Sequence, residues 1–152
     1  MSDYGEFISD SQIWDLIKFI KETAHNTDDF YTITTTTGTY PTGTKSFSDL
    51  GNGGDSVHGK QVYDAKCKGC HGADGTQINI YCKTPALVLG NMFREDPHEI
   101  QHKSIWSMPD DIDHNEAGCT TATAMPAIDI TDQDIRDMMV MDQDATAFPD
   151  GQ

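Results

Sequence analysis

Residues 67–71 read CKGCH, and this short stretch decides what kind of protein the sequence describes. Two cysteines separated by two residues, with a histidine directly after the second, are compatible with several chemistries. A structural zinc site needs four ligands, usually in two pairs, and the second pair is missing from this sequence. A thioredoxin-type dithiol needs alternating strands and helices around it, and an iron–sulfur cluster needs four grouped thiolates. The sequence offers neither.

The remaining interpretation accounts for every residue of the motif. Cys67 and Cys70 are three positions apart on a helical turn, where each can form a thioether bond to a vinyl group of haem. His71 follows on the same turn and can bind the haem iron. The sequence therefore predicts one covalently bound haem c, attached through Cys67 and Cys70 and ligated by His71.

Composition limits the remaining possibilities. The chain has 152 residues, which is enough for about one domain. Only 36% of them are apolar, which gives a thin core unless a bulky group is buried as well. The formal net charge of -15 at pH 7 makes nucleic acid and anionic lipid poor partners and favours a basic one. No run of 18 apolar residues is present, so the sequence contains no candidate membrane span.

Capping residues and apolar spacing predict four helices. They begin near Ser9, near Asp55, at Asp96 and at Thr131. The segment before the second helix is rich in threonine and glycine. Its stretch FYTITTTTGTY is suited to a strand, but the composition of the whole segment favours a loosely held arm or linker.

Around the CKGCH motif the sequence resembles the class I cytochromes c. GKQVYDAKCKGCHGADG (59–75) is similar to the first helix and haem attachment segment of that family, and TPALVLGN (84–91) to the loop that follows. The resemblance covers roughly residues 57–143 and implies an all-α class I cytochrome c fold, with helices around one haem. It also implies that Gly59 and Tyr63 lie where the first helix packs against the last, and that the carbonyl of Pro85 accepts the ring proton of His71.

The resemblance also divides the chain. It implies a haem domain at 57–145, preceded by an amphipathic helix at 1–22 and the arm or linker at 23–56, and followed by a C-terminal tail at 146–152. ISDSQIWDLI (8–17) and the predicted last helix, ITDQDIRDMM (130–139), have Ile, Ser or Thr, Asp, Ile, Asp and two apolar residues at the same relative positions. The first helix is therefore interpreted either as resembling the last helix of a second cytochrome c domain upstream, or as a docking helix.

The second axial ligand of the iron is expected to be a methionine, by the same resemblance. The family places this methionine shortly before the last helix, which favours Met125 in AMPA over Met108 in SMPD. Met92 is interpreted as a core residue. The remaining histidines are more typical of solvated or capping residues, although each is an available ligand: His25, His58, His98, His102 and His114.

Two further cysteines, Cys82 and Cys119, could form a disulfide between the attachment side and the methionine loop. Haem is attached to such motifs outside the cytoplasm, in an oxidising space where disulfides persist. A periplasmic or otherwise exported location is therefore expected. No signal peptide is visible in MSDYGEFISD, so the sequence is expected to be a mature or excised form.

The function implied is electron transfer between redox proteins, without enzymatic activity. Lys60, Lys66 and Lys68 form a basic cluster near the expected haem edge, while the acidic remainder favours a basic partner. Two alternatives remain open. One is a haem subunit of a larger respiratory assembly, docked or self-associated through residues 1–56. The other is a small-ligand-binding or peroxidase-like protein whose iron has an open sixth position.

Overall fold

The computed structural model describes residues 9–23, 30–37, 44–82, 84–106 and 125–151. Its elements are α1 (Asp10–Thr23), β1 (Thr32–Thr37), β2 (Thr44–Ser48), α2 (Ser56–Lys66), α3 (Lys68–His71), a 3-10 turn (Ile80–Cys82), α4 (Leu89–Glu95), α5 (Pro97–Trp106) and α6 (Asp132–Met141). The two strands pair as an antiparallel hairpin, and every other regular element in the described ranges is helical. The predicted all-α class is confirmed by these helices, with one hairpin added to them.

The predicted helix starts are confirmed at α2, α5 and α6. The Asp55 side chain accepts hydrogen bonds from the backbone of Val57 and His58, which satisfies donors at the start of α2. Thr131 and Asp134 form a capping box at the start of α6. α5 begins at Pro97, whose missing N–H costs nothing at a first helical position.

The crossing of α2 and α6 forms the centre of the core. A Cβ atom on Gly59 would lie 2.2 Å from the backbone oxygen of Asp137, so only glycine allows the two helices to approach this closely. Ile135, Met138 and Met139 of α6 are almost completely buried, as is Tyr63 of α2. These two helices hold the segment that carries the CKGCH motif.

The segment before α2 packs against this core through its hairpin. Phe30 and Tyr31, just before β1, are 1% and 6% exposed. Phe47 of β2 makes an edge-to-face contact with Tyr31, and a Cβ atom on Gly51 would lie 2.4 Å from the backbone oxygen of Arg136. The described part of 23–56 is therefore a packed hairpin, and the expectation of a loosely held linker was wrong for it. The division of the chain into domains stays a prediction.

The structure also corrects the sequence prediction at α4 and at the C-terminus. Residues 89–95 form a helix whose first five residues are buried, although a loop was expected up to residue 91. Residues 142–151, named here the C-terminal segment, fold back onto α4, although 146–152 was predicted to be a tail. The Arg94 guanidinium donates hydrogen bonds to the backbone oxygens of Asp142 (2.7 Å) and Phe148 (2.9 Å), and contacts the Asp150 carboxylate.

The predicted N-terminal helix is present as α1, and Ser9 and Gln12 exchange hydrogen bonds at its start. Its apolar residues are largely exposed, including Trp14 (68%) and Leu16 (51%). Within the described residues, no helix is long and apolar enough to cross a membrane.

The candidate haem site

The three residues of the CKGCH motif that carry chemistry lie on one turn. α2 ends at Lys66, and the backbone N–H of Cys67 still bonds to the oxygen of Tyr63 at 2.9 Å. The backbone oxygen of Cys67 then accepts from the N–H of Cys70 (3.1 Å) and of His71 (3.0 Å). Cys67, Cys70 and His71 are therefore brought together by local helical geometry.

The two thiols of the motif have different surroundings. Cys67 is half-buried, and its Sγ lies 4.0 Å from the Sδ of Met138 on α6. Burial raises the pKa of Cys67 to about 11, and the neighbouring Cys70 thiol adds to this shift. Cys70 is exposed. Both are free thiols, so both remain available for thioether bonds.

The His71 ring is half-buried, and burial lowers its pKa. Burial therefore favours the neutral form of the ring, which is the form that binds metals. Its Nδ1 is buried and has no hydrogen-bond partner among the described residues. The expected bond to the carbonyl of Pro85 is not formed in this structure, and the side chain of Pro85 is exposed. The orienting role of Pro85 stays a prediction.

The turn that ends at His71 is fixed by backbone contacts and by Tyr63. The N–H of Gly72 donates to Lys68 O at 3.0 Å, and the N–H of Gln77 donates to His71 O at 3.1 Å. The Tyr63 hydroxyl donates to Gly72 O at 2.6 Å. Burial raises the pKa of Tyr63, so its hydroxyl keeps the proton that makes this bond. Tyr63, which was predicted where the first helix packs against the last, therefore contacts the residue directly after His71.

Met125, the predicted second ligand, is partly buried and begins the stretch that leads to α6. The N–H of Ile128 in this stretch donates to the backbone oxygen of Ser104 on α5 at 2.8 Å, which ties the stretch to two helices. Met108 lies outside the described residues. Met92 is 2% exposed in the apolar core, as its interpretation as a core residue expects.

Three of the other candidate histidines lie within the described residues, and two lie outside them. His58 pairs with Asp137 at 2.7 Å, and His98 stacks on the Phe47 ring with centroids 5.7 Å apart. The side chain of His102 is exposed. His25 and His114 lie outside the described residues.

The predicted basic cluster is partly neutralised by a residue that sequence reasoning missed. Asp64 lies 2.6 Å from Lys60 Nζ and 3.4 Å from Lys68 Nζ. It is four positions from each lysine, so helical spacing alone would have indicated both pairs. The hydrogen bond from Lys60 is the main cause that lowers the pKa of Asp64.

The remaining cysteines are only partly described. Cys82 is half-buried at the end of the 3-10 turn Ile80–Cys82. Cys119, its predicted partner, lies outside the described residues. The Cys82–Cys119 pairing therefore stays a prediction.

The sequence matches the family model described as Cytochrome c over residues 56–140, which is more than half of the chain. The chain therefore belongs to the cytochrome c family, and a haem c is covalently attached to proteins of this kind. The motif geometry fits that group, because two free thiols and a neutral imidazole share one turn. Haem-based electron transfer is the general function of the family. No curated protein and no solved structure gives a significant match.

Proposed function

We propose that this protein is an electron carrier with a single haem c, attached through Cys67 and Cys70 and ligated by His71 and Met125. The observation that carries the proposal is the turn 67–71, where backbone hydrogen bonds bring Cys67, Cys70 and the half-buried His71 together. When bound, the haem supplies a reversible one-electron ferrous–ferric couple. The protein supplies attachment, axial ligands and a fixed environment.

The residues around the motif are suited to holding one geometry during electron transfer. Tyr63 bonds to Gly72, and the N–H of Gln77 bonds to the oxygen of His71, so the backbone on both sides of the ligand is fixed. On the other side, the bond from Ile128 to Ser104 limits the movement of the stretch that begins at Met125. Fixed ligands favour a carrier, because little rearrangement is then needed when the charge changes.

The ligand assignment is tested with Met125→Ala and, as the matched control, Met108→Ala. In the reduced wild-type protein we expect no carbon monoxide binding. In the oxidised wild-type protein we expect a near-infrared sulfur-to-iron charge-transfer band. Met125→Ala should remove the band, lower the reduction potential and allow carbon monoxide to bind, since thioether ligation raises the potential. Met108→Ala should leave all three unchanged.

Two outcomes would contradict the proposal in different ways. Loss of the band in Met108→Ala alone would reassign the ligand but keep the carrier. A wild-type protein that lacks the band and binds carbon monoxide would favour the small-ligand-binding or peroxidase-like alternative. In either case, Cys67→Ala and Cys70→Ala test the attachment separately, because each should leave one thioether bond in a denaturing pyridine haemochrome spectrum.

The exposed apolar side chains of α1 favour a second candidate function, as a haem subunit that docks or self-associates through residues 1–56. Trp14, Phe19 and Ile20 are each more than half exposed. Replacing all three with serine should then reduce the oligomeric state or the capture of a redox partner, measured by light scattering and pull-down. An unchanged oligomeric state and unchanged capture would exclude this role for α1.

The charge of the chain supports a basic redox partner, and an exported location is proposed from the family's usual compartment. With a net charge of -15, electron transfer with a cationic metal complex should slow as salt is added, and transfer with an anionic complex should accelerate. Stopped-flow rates at two ionic strengths measure this. The same salt dependence for both complexes would contradict it.

A further inference from the structure

The C-terminal segment, residues 142–151, places a phenylalanine against residues that border the turn 67–71. The N–H of Phe148 donates to Asp144 O at 2.9 Å, and the Asp144 side chain accepts from the backbone of Thr146 at 2.9 Å. This turn directs the Phe148 ring inward, where it is 1% exposed. No apolar periodicity in the sequence marks Phe148 as a core residue.

The Phe148 ring touches two parts of the structure that border the motif. It packs edge-to-face on the Tyr63 ring, with centroids 4.9 Å apart and planes at 85°. A Cβ atom on Gly75 would lie 3.4 Å from Phe148 Cδ1, so the ring also lies against the loop after His71. An edge-to-face pair stabilises both rings in one orientation.

Tyr63 connects this contact to the motif. Its hydroxyl donates to the oxygen of Gly72, the residue after His71, at 2.6 Å. The same loop is bonded to α4, because the N–H of Leu89 donates to Gly75 O at 3.2 Å. Phe148 therefore lies between Tyr63 on α2, which bonds to the loop, and Gly75, which is part of the loop.

The C-terminal segment is held rigidly enough to transmit this contact. Arg94 of α4 donates to the backbone oxygens of Asp142 and Phe148, and to the Asp142 carboxylate at 3.1 Å. Further along, the N–H of Gly151 donates to the Asn91 side chain at 2.9 Å. The backbone on both sides of Phe148 is thus anchored to one helix.

We infer that Phe148 is a positioning residue for the iron ligand His71, acting through Tyr63 and the loop 72–75. The inference rests on His71 being the ligand, as proposed above. The aromatic ring that packs on Tyr63 is supplied by the C-terminal segment. Phe148 contacts Tyr63 and Gly75, which hold the loop after His71 in place, and is not itself proposed as an iron ligand.

The test compares Phe148→Ala with Phe30→Ala in the haem-loaded protein. Both phenylalanines are 1% exposed, so both variants should lose stability by a similar amount. Only Phe148→Ala should speed amide hydrogen exchange at residues 72–77, by about tenfold, the equivalent of losing one aromatic pair. It alone should also shift the paramagnetic NMR resonances of the His71 side chain, which report the orientation of the ring.

Tyr63→Phe provides a second route if Phe148→Ala does not fold. This variant keeps the aromatic contact with Phe148 but removes the bond to Gly72, and should move both readouts in the same direction. In the double variant, Tyr63→Phe with Phe148→Ala, each readout should change only slightly more than in the single variant with the larger change, because both substitutions act on one loop. Readouts that move equally in Phe148→Ala and Phe30→Ala, or effects that add fully in the double variant, would overturn the inference.

The two proposals fail in distinguishable ways. If His71 does not bind the iron, its side-chain resonances will lack the large contact shifts of an iron ligand in the wild-type protein as well. The exchange rates at residues 72–77 would then still show whether Phe148 fixes the loop. If those rates do not change, the positioning role is wrong even when His71 is the ligand.

Discussion

α1 and α6 share a sequence pattern but not an environment. ISDSQIWDLI at 8–17 and ITDQDIRDMM at 130–139 place similar residues at matching positions. Yet Met138 is 1% exposed, while Leu16 at the matching position is 51% exposed. α6 packs against α2, where Gly59 allows the two backbones to approach closely, whereas most large apolar side chains of α1 are exposed to solvent. The pattern predicts a helix and its apolar face, and the partner decides whether that face contributes to stability.

The largest expected effect comes from breaking the α2–α6 contact itself. Gly59→Val would place atoms 2.2 Å from the backbone oxygen of Asp137 and 2.8 Å from the nitrogen of Met138, contacts that cannot relax without separating the helices. We expect a loss of at least about 3 kcal/mol in the free energy of unfolding, measured by chemical denaturation of the haem-loaded protein.

Gly69→Ala is the control for that substitution. A Cβ atom there would meet nothing within 4 Å, so the unfolding free energy should change little. If Gly59→Val is as stable as Gly69→Ala, the close crossing is not what joins these helices.

The next prediction compares the matching positions directly. Met138→Ala should cost about 2–3 kcal/mol, because it removes a buried side chain and leaves a cavity. Leu16→Ala should change the unfolding free energy by less than about 0.5 kcal/mol, because half of the side chain is already exposed. Equal costs would mean that α1 is covered in solution, for example by a second copy of the chain, and light scattering would identify that case.

The smallest effect concerns the matching acidic positions, Asp137 and Asp15. Burial alone would raise the pKa of Asp137, but hydrogen bonds from the Asp55 backbone and His58 lower it. The hydrogen bond to Asp137 is in turn the main cause that raises the pKa of His58. A raised histidine pKa stabilises the fold below the unfolded value of about 6.5, and this contribution is lost as the pH rises through the folded value.

Asp137→Asn should therefore cost more unfolding free energy at pH 6 than at pH 8, whereas Asp15→Asn should show no such difference. Denaturation curves of the wild type and both variants at the two pH values measure this. A cost of Asp137→Asn that is independent of pH would show that His58 does not contribute through its charge.

Local signals carried most of what could be predicted about the fold. The caps at Asp55 and Thr131 and the proline at 97 determine helix starts through contacts within a few residues, and all three were confirmed. The motif turn is equally local, because Cys67, Cys70 and His71 belong to one helical turn. The family match then confirmed the cofactor that the motif predicted.

The features that were missed depend on contacts between distant parts of the chain. Phe30 and Tyr31 lie in a threonine-rich stretch, and only packing against the helical core distinguishes them from linker residues. Gly90 and Asn91 are typical of loops, yet both are buried in α4, where the Asn91 side chain caps the helix and also bonds to Gly151. Phe148 has no periodic neighbours to mark it. Burial of this kind is set by tertiary structure, which a single sequence does not display.

Two of the glycines that lie against α6 have a consequence for how the sequence can change in evolution. Gly51, before α2, and Gly59, within it, both meet the backbone of residues 136–138 at distances that no side chain allows. A substitution at either position moves the same helix, so neither can drift independently of the other. Among homologues that keep this hairpin, the two glycines should be retained or lost together, whereas Gly69 should vary freely.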